Sequence, residues 1–296
     1  MNSGELNQQQ LQTAHVLQEI RSLPLPLDTP LYRHYPGMKL GQPPLVEFYA
    51  RQLAAIAAGI VHSDFDGAPW VITAPPFFHL PAAANLMADH VCKDLQQQGL
   101  PVTLAELRLT PPENRLRDEE EFKNSYNYSK NTLQQRIRER ERVQQMLDPA
   151  VLRPQFAGRK VIVINDINVT GTQQHFIAQT LAQLQVEGTH WLYIFQVEPA
   201  LAAAHPEIEH QINHSQLADD DSYIAVLSDA QTRHTARCIS RLFNEDMAGF
   251  QRLVGRLTPP VAGKILLLAS REGRYANALF GEKMSLLAQQ RQLCTA

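Results

Sequence analysis

Cysteine is scarce in this chain of 296 residues: Cys92, Cys238 and Cys294 lie far apart, with no CxxC pair and no Cys/His ladder at zinc-ligand spacing. That excludes a disulfide framework, and a reducing, cytoplasmic setting is the expectation. An excess of positive charge is also missing, since 27 Lys and Arg stand against 30 Asp and Glu, a formal net charge of −3. Without a cationic field there is no general attraction to nucleic acid or anionic lipid, so any phosphate-bearing ligand must be held by a local site. A small anionic metabolite fits better than a nucleic acid partner. The opening MNSGELNQQQLQTAHVLQEI has no apolar signal-peptide core, and no run approaches the roughly 20 apolar residues that a membrane span needs, so neither secretion nor insertion is expected. With 14 Gly and 19 Pro and no visible repeat, a collagen-like or low-complexity chain is excluded too.

What is present is an alternation of short apolar runs and longer amphipathic stretches, the signature of βαβ units in a parallel sheet with right-handed crossovers. WVITA at 70–74 reads as a strand, PPFFHLP as a loop, AAANLMADHVCKDLQQQG as a helix and PVTLAELRL at 101–109 as the next strand. KVIVIND at 160–166 then reads as a buried strand, NVTGTQ as a loop, QHFIAQTLAQLQVEG as a helix and HWLYIFQV at 190–197 as another strand. Residues 68–200 are therefore taken as an α/β core. Ahead of it, 5–21 has the pattern of a Gln-rich amphipathic helix, the prolines of LPLPLDTP at 23–30 make an extended strap, and 32–44 is a turn-rich loop carrying Arg33, His34 and Lys39. LVEFYARQLAAIAAGI has helical spacing, and 1–67 as a whole is expected to pack on the core. An insertion at 110–150 is highly charged and reads either as a solvated helix or as a mobile arm. Residues 201–296 form a helical appendage, either a cap over the sheet edge or a homodimer surface.

The stretch that carries chemistry is Val161-Ile162-Val163-Ile164-Asn165-Asp166-Ile167-Asn168-Val169-Thr170-Gly171-Thr172-Gln173. Four β-branched residues make a central strand, and polar residues begin where it should leave the sheet, the place where open α/β sheets bind ligands. Thr170, Gly171 and Thr172 open onto a helix, so backbone N–H groups and two hydroxyls can converge on a phosphate at the helix N-terminus. Asp166 can accept hydrogen bonds from the vicinal hydroxyls of a sugar.

This stretch resembles the PRPP-binding signature of type I phosphoribosyltransferases: four apolar residues, two acids, two mostly apolar residues, then a Thr-Gly loop. The resemblance implies a Rossmann-like parallel-sheet core and Mg²⁺-assisted transfer of 5-phosphoribosyl from PRPP to a nitrogen nucleophile, with pyrophosphate released. By position, Asn165 and Asp166 face the ribose, and Val169 through Gln173 wrap the 5′-phosphate. Asn165 replaces the first acid and Gln173 the usual closing Thr. Val169 stands where purine-salvage members often carry an Asp, which argues against a hypoxanthine-like or guanine-like acceptor.

The same resemblance places the pyrophosphate loop at Ala74–Pro81, where His79 is the candidate contact. It also implies a closing arm within 110–150, with Lys123, Lys130 or Arg136 on the pyrophosphate and Tyr126 and Tyr128 near a flat acceptor. Lys130 and Arg136 are the catalytic candidates beside Asp166. The loop Tyr35-Pro36-Gly37-Met38-Lys39-Leu40-Gly41, the tyrosine-bearing arm and the long tail together resemble phosphoribosyltransferase-like proteins of bacterial tellurite-resistance and stress gene clusters. The rival reading is a non-catalytic PRPP or nucleotide sensor that signals through 201–296.

Overall fold

Along KVIVINDIN, the residues 160–168, side chains bury alternately on two faces of one sheet: Ile162 and Ile164 enter one apolar core, Val161 and Val163 another. A strand apolar on both sides must be central, covered by helices above and below. In the computed structural model, which describes residues 14–64, 67–110, 138, 141–215 and 219–293, it is. The strands are β1 (Ala14–Ile20), β2 (Trp70–Thr73), β3 (Val102–Leu104), β4 (Lys160–Asn168) and β5 (Gly188–Val197). Every pairing is parallel and the order is β1-β5-β4-β2-β3.

From β2 the chain steps outward to β3 and then returns to the other side of β2 as β4. The crossover helix Ala83–Gln97 lies on the first face with the long helix Pro43–Ser63, whereas the helix Thr172–Gln183 after β4 covers the second face through Ile177 and Leu181. Helices that leave neighbouring strands toward opposite faces open a crevice between them, so the β2/β4 junction is the topological switch point. Pro43–Ser63 is long and apolar enough to cross a membrane by length and composition, but Val46, Tyr49, Leu53, Ala57 and Val61 are buried in the sheet's core. The reading that no such run exists therefore overlooked this helix, whose alanines give it only moderate hydropathy.

Two N-terminal expectations are corrected. Residues 14–20 are not helical: AHVLQEI forms β1, hydrogen-bonded along β5 from Ala14–Trp191 to Ile20–Val197. The exposed edge of β5 outweighs the weak helical pattern, as tertiary context commonly does for short mixed segments. The 32–44 segment is not a loop but contributes the short helices Pro30–Arg33 and Tyr35–Leu40. Gly37 permits this, because a Cβ there would lie 2.2 Å from Gln42 Oε1 and 2.4 Å from Leu45 Cδ1. β4 also runs two residues past Asp166, with Asn168 still opposite Gln196. β3 is shorter than the 101–109 run, of which only Arg108 makes a further bridge, to Phe77.

After β5 the chain is helical as expected. The helices Asp220–Ser228, Ala236–Asn244, Met247–Val254, Pro259–Glu272 and Gly281–Gln292 enclose a third core containing Phe243, Phe250 and Tyr275. Asp219, Thr235 and Asp246 cap three of them by accepting from Ser222, Cys238 and Gly249 N–H groups, each cap worth about 1 kcal/mol. Leu40 and Leu80 also belong to this core, so the appendage packs against segments beside the carboxyl ends of the strands.

Candidate functional site

The site grows from the last residues of β4. Asn165, Asp166 and Asn168 are all buried, and a buried polar side chain needs partners. Asn168 has three: its amide donates to Gln174 Oε1 at 2.9 Å and Gln196 Oε1 at 3.0 Å, and its Oδ1 accepts from Gly171 N at 2.9 Å. Tyr193 adds its hydroxyl to Gln174 Oε1 at 3.2 Å. This network fixes the bend from beneath. Gly171 takes the left-handed φ of +72°, and nothing lies within 4 Å of where its Cβ would be. The helix beyond has no side-chain cap, and the N–H groups of Thr172, Gln173 and Gln174 have no acceptor among the described residues. Thr170 and Thr172 bring their hydroxyls within 2.9 Å of each other over the same turn. An open bend lined with unpaired donors at the positive end of a helix is an anion cradle.

Beside it, Asn165 donates to Gln173 Oε1 at 3.1 Å and accepts from Asp166 N at 2.9 Å. Asp166 turns one oxygen to Ile167 N at 2.8 Å and the other to the Lys39 ammonium. Lys39 also reaches Glu209, on the helix Ile208–Asn213, at 3.1 Å. Three sequence-distant segments thus meet at one cation. Burial alone would depress the Lys39 pKa, but Asp166 and Glu209 outweigh it and hold the ammonium above its ordinary value. Burial likewise pushes the Glu209 carboxyl up, and Lys39 with Arg237 overcomes this and leaves it below its ordinary value. Tyr35, fully buried, is pushed well above the ordinary phenol value by burial first and then by Asp166 and Glu209. Its hydroxyl has no hydrogen-bond partner among the described residues, and neither has Asn213 Oδ1.

Lys39 is held firmly from the backbone. Thr235 donates its hydroxyl to the Lys39 carbonyl at 2.6 Å, and Arg233 N donates to Gly41 O at 3.1 Å. At Gly41 φ is +93° and a Cβ would meet Arg233 O at 2.0 Å, so only glycine lets these segments approach.

The loop after β2 is braced from the appendage. The Glu272 carboxylate, itself buried, accepts from His79 N at 3.1 Å and Leu80 N at 2.7 Å, and Arg274 pairs with its other oxygen at 3.0 Å. Arg108 lies over the Phe77 ring at 4.1 Å and donates to Phe78 O at 2.9 Å. The His79 side chain itself is exposed.

Among the sequence candidates, Asn165, Asp166, Thr170, Gly171, Thr172 and Gln173 come together here, while Val169 packs partly into the first core. Lys123, Tyr126, Tyr128, Lys130 and Arg136 lie outside the described residues. Of the three basic residues at 33–39, Arg33 is exposed, His34 packs edge-on to Phe48 at 4.8 Å, and only Lys39 reaches β4. Lys39, Glu209, Asn168 and Glu272 were not singled out from sequence as site residues. Lys39 was visible only as one of three basic residues in a turn-rich stretch, and nothing local marks the others.

The Mg²⁺ implied by the sequence resemblance finds a poor donor set. Asn165 is neutral and engaged, Asp166 and Glu209 already share an ammonium, and no group of three metal-ligating side chains occurs among the described residues. A hard cation held by protein needs free carboxylate oxygens. These residues do not form a resident metal site.

A family model described as PRTase ComF-like matches residues 21–286. No curated protein matches the chain. Among solved structures, a hypoxanthine phosphoribosyltransferase from Staphylococcus aureus aligns at 13% identity and TM-score 0.31, covering 51% of this chain and 64% of that one. The Trypanosoma cruzi hypoxanthine phosphoribosyltransferase aligns at 11% identity and TM-score 0.32, covering 52% and 66%. The chain spans about two thirds of the length of each, and the family assignment rests on the family model.

Proposed function

Because the chain belongs to the PRTase ComF-like family, we propose that it binds PRPP at the carboxyl end of β4 and transfers the 5-phosphoribosyl group to a nitrogen nucleophile. The observation that supports this most is the juxtaposition of an open, uncapped bend at Gly171 with the buried Asp166 one strand-end away. The bend suits the dianionic 5′-phosphate and Asp166 suits the ribose hydroxyls. In the reaction the C1–oxygen bond to pyrophosphate breaks as the nitrogen lone pair closes on C1, through an oxocarbenium-like state. The chain's part is to align the two reactants and stabilise developing charge, since such a transfer asks for little proton movement. Localisation in the cytoplasm and a homodimer remain part of this proposal.

One observation favours a second reading, a protein that binds the donor without turning it over: Asp166 already spends an oxygen on Lys39. Isothermal titration with PRPP, run beside a pyrophosphate-release assay over a panel of nitrogen nucleophiles, separates the two. Transfer predicts binding and release together; binding with no release selects the second reading. Thr170→Ala and Asp166→Ala each weaken PRPP binding about tenfold or more if the bend holds the donor, and unchanged affinity in both would remove the proposal.

A further inference from the structure

We infer that Lys39 takes the place of a divalent cation at the ribose end of the donor site, so that PRPP is held there by an ammonium supplied from the N-terminal segment rather than by a carboxylate-bound metal. The inference rests on the donor-site reading above but is argued from other observations.

Asp166 and Glu209 converge on one point from β4 and from the helix Ile208–Asn213, and the Lys39 Nζ occupies that point. Two carboxylates facing each other in a nearly buried place need a cation between them. Lys39 provides it from a backbone fixed by Thr235 and Gly41. Two of its three N–H bonds go to the carboxylates, the ammonium also lies 5.6 Å from the centre of the Tyr35 ring, and no described oxygen or nitrogen accepts the third N–H. The cluster is left incomplete by design of its neighbours. Among the described residues the buried Tyr35 hydroxyl and Asn213 Oδ1 have no partners, and the guanidinium of the half-buried Arg237, electrostatically coupled to Lys39 and Glu209, makes no hydrogen bond or ion pair. Unpaired buried polar atoms around a cation point to a ligand bearing hydroxyls or phosphoryl oxygens. A metal added at Asp166 would meet the ammonium at once, and like charges exclude each other.

Two titrations test this on the full-length protein. In the first, Mn²⁺ alone is titrated: the wild type takes up none at the site, whereas Lys39→Met, with its two carboxylates freed, gains one binding site per chain. In the second, PRPP is titrated in EDTA and in excess Mg²⁺. Wild-type affinity should differ by less than about threefold between the buffers, Lys39→Met should lose at least tenfold in EDTA and recover in Mg²⁺, and Lys39→Arg should behave as wild type. A thermal melt confirms that each variant is folded, and Lys39→Arg retains the charge should Lys39→Met fail to fold. A tenfold loss of wild-type affinity in EDTA, or Lys39→Met binding PRPP as wild type does without metal, overturns the inference. Loss of PRPP binding by the wild type in every buffer, with the Mn²⁺ exchange still seen, overturns the donor-site reading and leaves the cation exchange standing.

Discussion

The Asn165 amide donates to Gln173 Oε1 at 3.1 Å. These are two of the positions at which the stretch departs from the signature it resembles, and they are hydrogen-bonded to each other across the mouth of the bend. A double-mutant cycle on Asn165→Ala and Gln173→Ala, followed by urea unfolding, should give a coupling of about 1 kcal/mol, typical of a partly buried neutral hydrogen bond. Strict additivity would show the two changes to be independent.

The Lys39 cluster sets a window of pH stability. Glu209 is pushed up by burial, but Lys39 and Arg237 hold it below its ordinary 4.5 in the folded state, so its contribution is complete above that value and disappears as acid titrates the folded carboxyl. Lys39 is raised above 10.5, so its contribution is complete below that value and fades as alkali removes the proton. Lys39→Met should cost about 3–5 kcal/mol near neutrality, the penalty for leaving buried carboxylates unpaired. Chemical denaturation across pH should show the difference from wild type shrinking below pH 4.5. A difference constant through the acid range would mean the pair is not linked to folding.

Gly41 and Gly171 both take positive φ but should respond differently to alanine. At Gly171 the added methyl meets nothing, so the loss is the left-handed backbone strain of roughly 1–2 kcal/mol, yet the methyl projects into the bend and PRPP affinity should fall at least tenfold. At Gly41 the methyl collides with Arg233 O, and the protein should lose more than about 2 kcal/mol. Urea melts read the first quantity and calorimetric titration the second.

Glu272→Ala removes the acceptor of two backbone N–H groups and the ion pair that Glu272 makes with Arg274. Leaving buried donors unsatisfied costs about 1–3 kcal/mol. Amide hydrogen exchange at His79 and Leu80 should accelerate well before that of the β2 amides; unchanged protection would show that the loop holds its shape without the appendage.

Much of the core was legible because strands buried on both faces read as unbroken apolar runs, as in VIVI at 161–164 and WLYIF at 191–195. The bend was legible too, since a glycine between a buried strand and a helix marks a left-handed turn, which Gly171 makes. β1 was not. Its side chains are half-exposed along an edge, so its alternation is weak and its state is decided by β5, more than 170 residues further on. The Tyr35–Leu40 helix was hidden by Pro36 and Gly37, residues that mark turns in isolation but here open a helix and admit Gln42 and Leu45. Lys39 and Asp166 lie 127 positions apart, and no periodicity connects them.

β1 has a consequence for biosynthesis. After β1 a ribosome must add more than 170 residues before β5, its neighbour, is complete. Until then AHVLQEI is an unclaimed ribbon, and afterwards it is the lid on the β5 ladder from Trp191 to Val197. Cutting away residues 1–20 should bare that ladder and turn a stable particle into one that associates as its concentration rises, which sedimentation velocity would register. Of the described strands, the one made first is thus the one that finishes the sheet.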